Sequence, residues 1–157
     1  MSLAVLAVCA GNICRSPAAA AAIKAEAAAA GLDIVVDSAG TGGWNVGDPP
    51  SPAVADAAAR RGLVVEGRAR RVIPADFGRF DIVVAMDRAN LRDLQEIAPT
   101  LEARAKVRLF RTYDKSTDDD EIPDPFGGTE ADYDRAISQI MASASGMVDE
   151  LAAVAGA

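Results

Sequence analysis

Along the chain, short apolar runs alternate with stretches in which apolar positions recur at helical spacing. Leu3-Ala4-Val5-Leu6-Ala7-Val8 contains no polar residue, as a strand covered on both faces requires, and predicts the first strand of a parallel sheet. The alanine run Ala18 to Ala30 predicts a helix over about 17–30, with Ser16 as N-cap, Pro17 at the first helical position and Gly31 just past its end. Leu32 to Asp37 predicts a second strand centred on Ile34, Val35 and Val36, and the turn-rich stretch from Ser38 to Pro50 a long loop. Ser51-Pro52 opens a helix that stops at Gly62, Phe80 to Met86 is a third strand, Arg88 to Ile97 a helix before Pro99, and Lys106 to Phe110 a fourth strand. Thr129, with Asp132 three residues later, predicts a capping box at the start of a C-terminal helix running toward Leu151. This end-to-end alternation predicts the α/β class: a single domain over residues 1–157, built as a four-stranded parallel sheet flanked by helices.

Composition narrows the partners. The 157 residues are enough for a core without metal or disulfide support, and no apolar stretch nears the ~20 residues of a membrane span. Met1-Ser2 leads straight into the first strand without a charged leader, so a cytoplasmic protein without membrane insertion is expected. A net charge of -7 and a pI near 4.6 argue against nucleic acid or anionic lipid as a partner. Cys9 and Cys14 are the two cysteines, and there is no histidine, which excludes a disulfide framework and an ordinary zinc site; neither metal nor cofactor is expected. The alanine-rich, arginine-over-lysine usage suggests a GC-rich bacterial genome.

Chemistry concentrates in Val8-Cys9-Ala10-Gly11-Asn12-Ile13-Cys14-Arg15-Ser16, between the first strand and the first helix. A short loop at such a junction turns backbone N–H groups inward, and the helix dipole adds partial positive charge there, so the loop is a trap for an oxyanion. Gly11 is expected to supply left-handed backbone, and Asn12 to tolerate the same region and tie the loop with its amide. Arg15 offers a planar fork to two phosphate oxygens. Cys9 lies in the field of those donors, the kind of surroundings that hold a cysteine as nucleophilic thiolate at neutral pH. Cys14 is either a packing residue or a redox partner able to capture an oxidised Cys9.

A thiolate that displaces an alkoxide or phenolate from phosphorus works faster when an acid protonates the departing oxygen. Asp124, in Ile122-Pro123-Asp124-Pro125-Phe126-Gly127-Gly128, is the candidate, because its loop follows the last strand and parallel sheets gather such loops at one edge, where Cys9 also lies. The acidic run Asp118-Asp119-Asp120-Glu121 is either a solvated loop face or a source of like-charge repulsion that keeps Asp124 protonated.

Val8 through Pro17 resembles the phosphate-binding loop of the bacterial-type low-molecular-weight protein tyrosine phosphatases, and Asp124-Pro125 resembles their general-acid loop. Between them, Asp37-Ser38-Ala39-Gly40-Thr41-Gly42-Gly43-Trp44 and Met86-Asp87-Arg88-Ala89-Asn90-Leu91 fall where that family has its wall loop and its Met-Asp-x-x-Asn-Leu segment. The resemblance implies that Cys9 attacks in line to give a phosphocysteine. The N–H groups of Ala10, Gly11, Asn12, Ile13, Cys14 and Arg15 then hold the phosphoryl oxygens together with the Arg15 guanidinium. It further implies that Asp124 protonates the leaving group and afterwards activates water. Ser16 would assist the thiolate, Asn12 and Ser38 would pin the loop, and Asp87 would be a supporting anchor or a helix N-cap. Trp44 and Phe126 would wall a pocket deep enough for phosphotyrosine. The implied partners are phosphotyrosine-bearing proteins and a tyrosine kinase that makes them.

Two departures from the family pattern stand out. Many relatives brace the loop with a histidine where this chain has Gly67, and many carry two tyrosines after the Asp-Pro pair where it has Phe126 and Gly127. Another group or a water must therefore brace the loop, and regulation through those tyrosines is excluded. Among competing readings, a phosphoarginine phosphatase of the same fold also shows Asp-Pro-Phe-Gly-Gly but usually has threonine at the place of Ile13; Ile13 and Trp44 favour tyrosine. An arsenate reductase of that fold needs cysteines beyond Cys14. A phosphotyrosine-binding pseudophosphatase has no need of nucleophile, arginine and acid together.

Overall fold

The computed structural model describes residues 2–156. Strands β1 (Leu3–Cys9), β2 (Ile34–Gly40), β3 (Ile82–Ala85) and β4 (Val107–Leu109) form one parallel sheet in the order β2-β1-β3-β4. The described residues also form six helices, α1 (Arg15–Ala30), α2 (Pro52–Ala59), α3 (Asp76–Arg79), α4 (Arg88–Ile97), α5 (Leu101–Ala105) and α6 (Glu130–Ala155), with a 3-10 turn over Phe110–Tyr113. Cys9 is in register with Gly40, and Val8 with Ala85, so the strands end level and the loops that follow them share one edge.

The two faces of β1 explain its unbroken apolar run. Val5, Ala7 and Cys9 pack with Ile23 of α1 and with Ile137, Ile140 and Met147 of α6, while Leu6 and Val8 pack with Phe77, Phe80 and Leu94 on the opposite side. Each such fully buried large side chain contributes about 1.5–3 kcal/mol relative to exposure. Alanines at 18, 19 and 22 leave α1 thin where it faces the sheet and α6. The rigid centre this produces ends at the sulfur of Cys9.

Several boundaries differ from those predicted. Helix α1 begins at Arg15 with Cys14 as its N-cap residue and no capping side chain, because the Ser16 hydroxyl turns inward. Gly31 does end the helix in the left-handed region, with φ 69°. β2 extends to Gly40 because Ser38, Ala39 and Gly40 pair with the last residues of β1, and α2 stops at Ala59, before the turn to Gly62. Helix α4 and the capping box of Thr129 and Asp132 match the sequence reading. Helices α3 and α5 were not anticipated. Both are too short to show a period, and each is held by specific bonds, Lys106 Nζ donating to the Phe77 and Phe80 carbonyls and Thr100 Oγ1 accepting from Ala103 N–H.

Candidate active site

At the carboxyl edge of the sheet, the loop from Cys9 to Arg15 lines a cavity of about 350 Å3, together with Trp44, Asn45, Asp124 and Phe126. The peptides of the loop are oriented from outside. The carbonyls of Cys9 and Ala10 accept from the N–H groups of Thr41 and Gly42, at 3.0 Å in both cases. The Ile13 carbonyl accepts from Ser51 N–H at 2.7 Å, and the Gly11 carbonyl from Asn45 Nδ2 at 3.3 Å. In a trans peptide the N–H points opposite to its carbonyl, so the N–H groups of Ala10, Gly11, Asn12 and Cys14 are turned away from these anchors and toward the cavity. Asn45 is a loop support that sequence reading missed, since an asparagine after the tryptophan carries no signal of its own.

The left-handed residue of the loop is Asn12, with φ 57°, and not Gly11 as expected. Gly11 is instead a point of close approach, where a Cβ would fall 2.6 Å from Asn45 Nδ2. Asn12 holds its conformation by donating through Nδ2 to Ser16 Oγ at 2.8 Å and Ser38 Oγ at 2.9 Å. Its Oδ1 accepts from the Arg70 N–H at 2.9 Å, and that backbone donor braces the loop in a chain with Gly67 at the histidine position. Ser16 Oγ in turn lies 3.0 Å from Cys9 Sγ.

Arg15 is buried and braced twice, its Nη1 donating to Asp87 Oδ2 at 2.7 Å and to the Ile122 carbonyl at 2.9 Å. Asp87 serves both roles left open by the sequence, because its Oδ1 also accepts from Asn90 N–H as the N-cap of α4. Asp124, half-exposed, accepts from Phe126 N–H through Oδ1 and brings Oδ2 within 3.8 Å of Arg15 Nη2. In the acidic run upstream, Asp119 pairs with Arg111 and Asp120 with Arg88, while Glu121 accepts from the Arg88 N–H.

Trp44 and Phe126 stand at the cavity mouth with 70% and 66% of their surfaces exposed. A Cβ on Gly42 would fall inside the Trp44 ring, so the bare glycine is what lets the indole lie flat there. Cys14 is buried, and its thiol is pushed up to about 12 by loss of water, reinforced by Cys9 and Asp124 and opposed by Arg15. It is therefore a neutral thiol beside the nucleophile candidate. The arrangement can hold a tetrahedral dianion against Cys9, in a cavity that Asp124, Trp44 and Phe126 also line.

Residues 4–155 match the sequence profile of the family described as low molecular weight phosphotyrosine protein phosphatase. The chain belongs to this family. A low molecular weight protein-tyrosine-phosphatase of Streptomyces coelicolor is 40% identical over 152 residues, covering 94% of this chain and 93% of that protein. A putative low molecular weight protein-tyrosine-phosphatase of Synechocystis is 42% identical over 132 residues, covering 83% of this chain and 84% of that protein. Among solved structures, the protein tyrosine phosphatase of Entamoeba histolytica superposes with a TM-score of 0.91 at 30% identity, covering 95% of this chain and 96% of that one. As a low-molecular-weight phosphatase, the chain is a phosphoric monoester hydrolase.

Proposed function

We propose that the whole chain is one catalytic domain that hydrolyses phosphotyrosine in proteins, in the cytoplasm of a bacterium, with a tyrosine kinase as the enzyme it opposes. The observation that carries this reading is the convergence of Cys9, Arg15 and Asp124 on one cavity whose mouth is flanked by Trp44 and Phe126. In the first step the Cys9 thiolate attacks phosphorus, the P–O bond breaks, and Asp124 gives its proton to the departing phenolate. In the second, Asp124 takes a proton from water, the water oxygen attacks phosphorus, and the S–P bond breaks to release phosphate and the thiolate. The inward N–H groups and the Arg15 fork hold the three non-bridging oxygens, whose charge grows in the transition state. The Ser16 hydroxyl, 3.0 Å from that sulfur, donates to it as it leaves.

The lining argues for an aryl phosphate. Two exposed aromatic side chains, Trp44 and Phe126, line the cavity together with the anion loop and suit a phenyl ring, which phosphoserine lacks. The deciding experiment compares phosphotyrosine, phosphoserine and phosphoarginine peptides with the purified enzyme, and repeats the comparison on Ile13→Thr. The reading requires phosphotyrosine to lead by kcat/KM and Ile13→Thr to move the balance toward phosphoarginine. A wild type that prefers phosphoarginine overturns it.

A further inference from the structure

The one acidic side chain buried completely among the described residues, Asp76, lies outside the cavity, and none of the chemistry above uses it. Burying a carboxylate is costly unless it is paired and hydrogen-bonded, and Asp76 is both. Its Oδ2 accepts from Arg70 Nη1 at 3.0 Å and from Ile73 N–H at 2.9 Å, and its Oδ1 accepts from Arg70 Nη2 at 3.1 Å. Two parallel bonds between a planar fork and a fixed carboxylate specify one orientation, which a hydrophobic pair in the same space would not. The acceptor is itself immobile, since the short helix α3 that carries it is held at its far end by Lys106. Arg70 Nε adds a bond to Asp37 Oδ2 at 3.1 Å, beside the end of β2.

The backbone of the same arginine reaches the catalytic loop. Its N–H donates to Asn12 Oδ1 at 2.9 Å, and its carbonyl accepts from Gly40 N–H at 2.8 Å. Asn12 is the one described non-glycine residue in the left-handed region, a conformation that persists only where the surroundings hold it. Its amide leads on to Ser16 Oγ at 2.8 Å, and that oxygen to Cys9 Sγ at 3.0 Å.

We infer that Arg70 and Asp76 are positioning residues for the nucleophile: their ion pair fixes the Arg70 peptide, the peptide holds Asn12, and Asn12 sets the Ser16 hydroxyl on the Cys9 sulfur. This rests on the phosphocysteine reading of the site. The brace acts on the sulfur side of the loop, because Arg15 is fixed independently by Asp87 and Ile122. Its loss therefore falls on kcat more than on KM.

The test measures kcat and KM on an aryl phosphate and the rate at which iodoacetate alkylates Cys9 at pH 7. The variants are Asp76→Asn, Arg70→Met and Arg70→Lys, and the control is Ile140→Val, a core change on α6. Asp76→Asn and Arg70→Met are expected to lower kcat by roughly 2–30-fold, to move KM less, and to slow alkylation to a similar degree. Arg70→Lys should fall between them and the wild type, while Ile140→Val lowers Tm without moving either rate. Folded Asp76→Asn and Arg70→Met with wild-type kcat and alkylation rate overturn the inference. Where those two do not fold, wild-type rates in Arg70→Lys overturn it equally. A wild type inert to both iodoacetate and aryl phosphate overturns the phosphocysteine reading and this inference with it, whereas an active wild type with indifferent variants overturns the inference alone.

Discussion

A serine hydroxyl at position 9 is not ionised by the loop that holds it, yet the inward N–H groups remain. Cys9→Ser is thus expected to abolish turnover and keep phosphate affinity, which phosphate titration and an aryl phosphate assay check together. The role of Asp124 is separable by leaving group: Asp124→Asn should lower kcat by about 10²–10⁴ on a poor leaving group and by far less on an acidic phenol, and an equal loss on both would move the proton donor elsewhere. Trp44 is the single tryptophan, so its emission reports directly on the cavity mouth. Gly42→Ala, by lifting the indole from its seat, should shift that emission and raise KM for an aryl phosphate roughly tenfold while inhibition by inorganic phosphate stays put. The sequence singled out Cys9, Arg15 and Asp124, which the structure brings to one cavity, because the proposed nucleophile, fork and acid each need one residue type at a fixed place. Asn45 and Arg70 were not, since one acts through an ordinary amide and the other through a backbone N–H that any non-proline residue carries.

Elements were legible where a cap and a period agree. Helix α4 begins at its Asp87 cap and ends before Pro99, and α6 opens on a capping box whose Asp132 carboxyl is held below the usual range by the Thr129 N–H and hydroxyl. Thr129→Ala should cost about 1 kcal/mol of stability, seen as a lower Tm with kcat unchanged. The start of α1 was misplaced for a reason that belongs to the site. Ser16 has the chemistry of an N-cap, but its hydroxyl faces Cys9 and Asn12, so the helix opens without a capping side chain on the edge where an anion would sit. Those inward bonds displaced the local rule there, and α3 and α5 carry no such signal because four or five residues hold no periodicity.

At the scale of the whole molecule, the sheet class follows from runs that read clearly, while the strand order and the contacts that assemble the site depend on pairings across long stretches of chain. Burial of Cys14 also ties stability to pH. Its thiol is raised from 9.0 to about 12, so the folded protein keeps a proton that the unfolded chain releases. The stabilising contribution is whole below pH 9 and declines as pH rises toward 12, with a slope of about 1.4 kcal/mol per pH unit in that window. Cys14→Ser should flatten that part of the curve in denaturant titrations at successive pH values. Arg15, near the start of the chain, takes its orientation from Asp87 and from the carbonyl of Ile122, 107 residues further on. A ribosome-bound chain that has exposed only its first strand and helix therefore carries the cysteine and the arginine without the partners that aim them. On the proposed mechanism such a nascent protein is chemically mute, and the sulfur becomes a tool only once Ile122 has emerged.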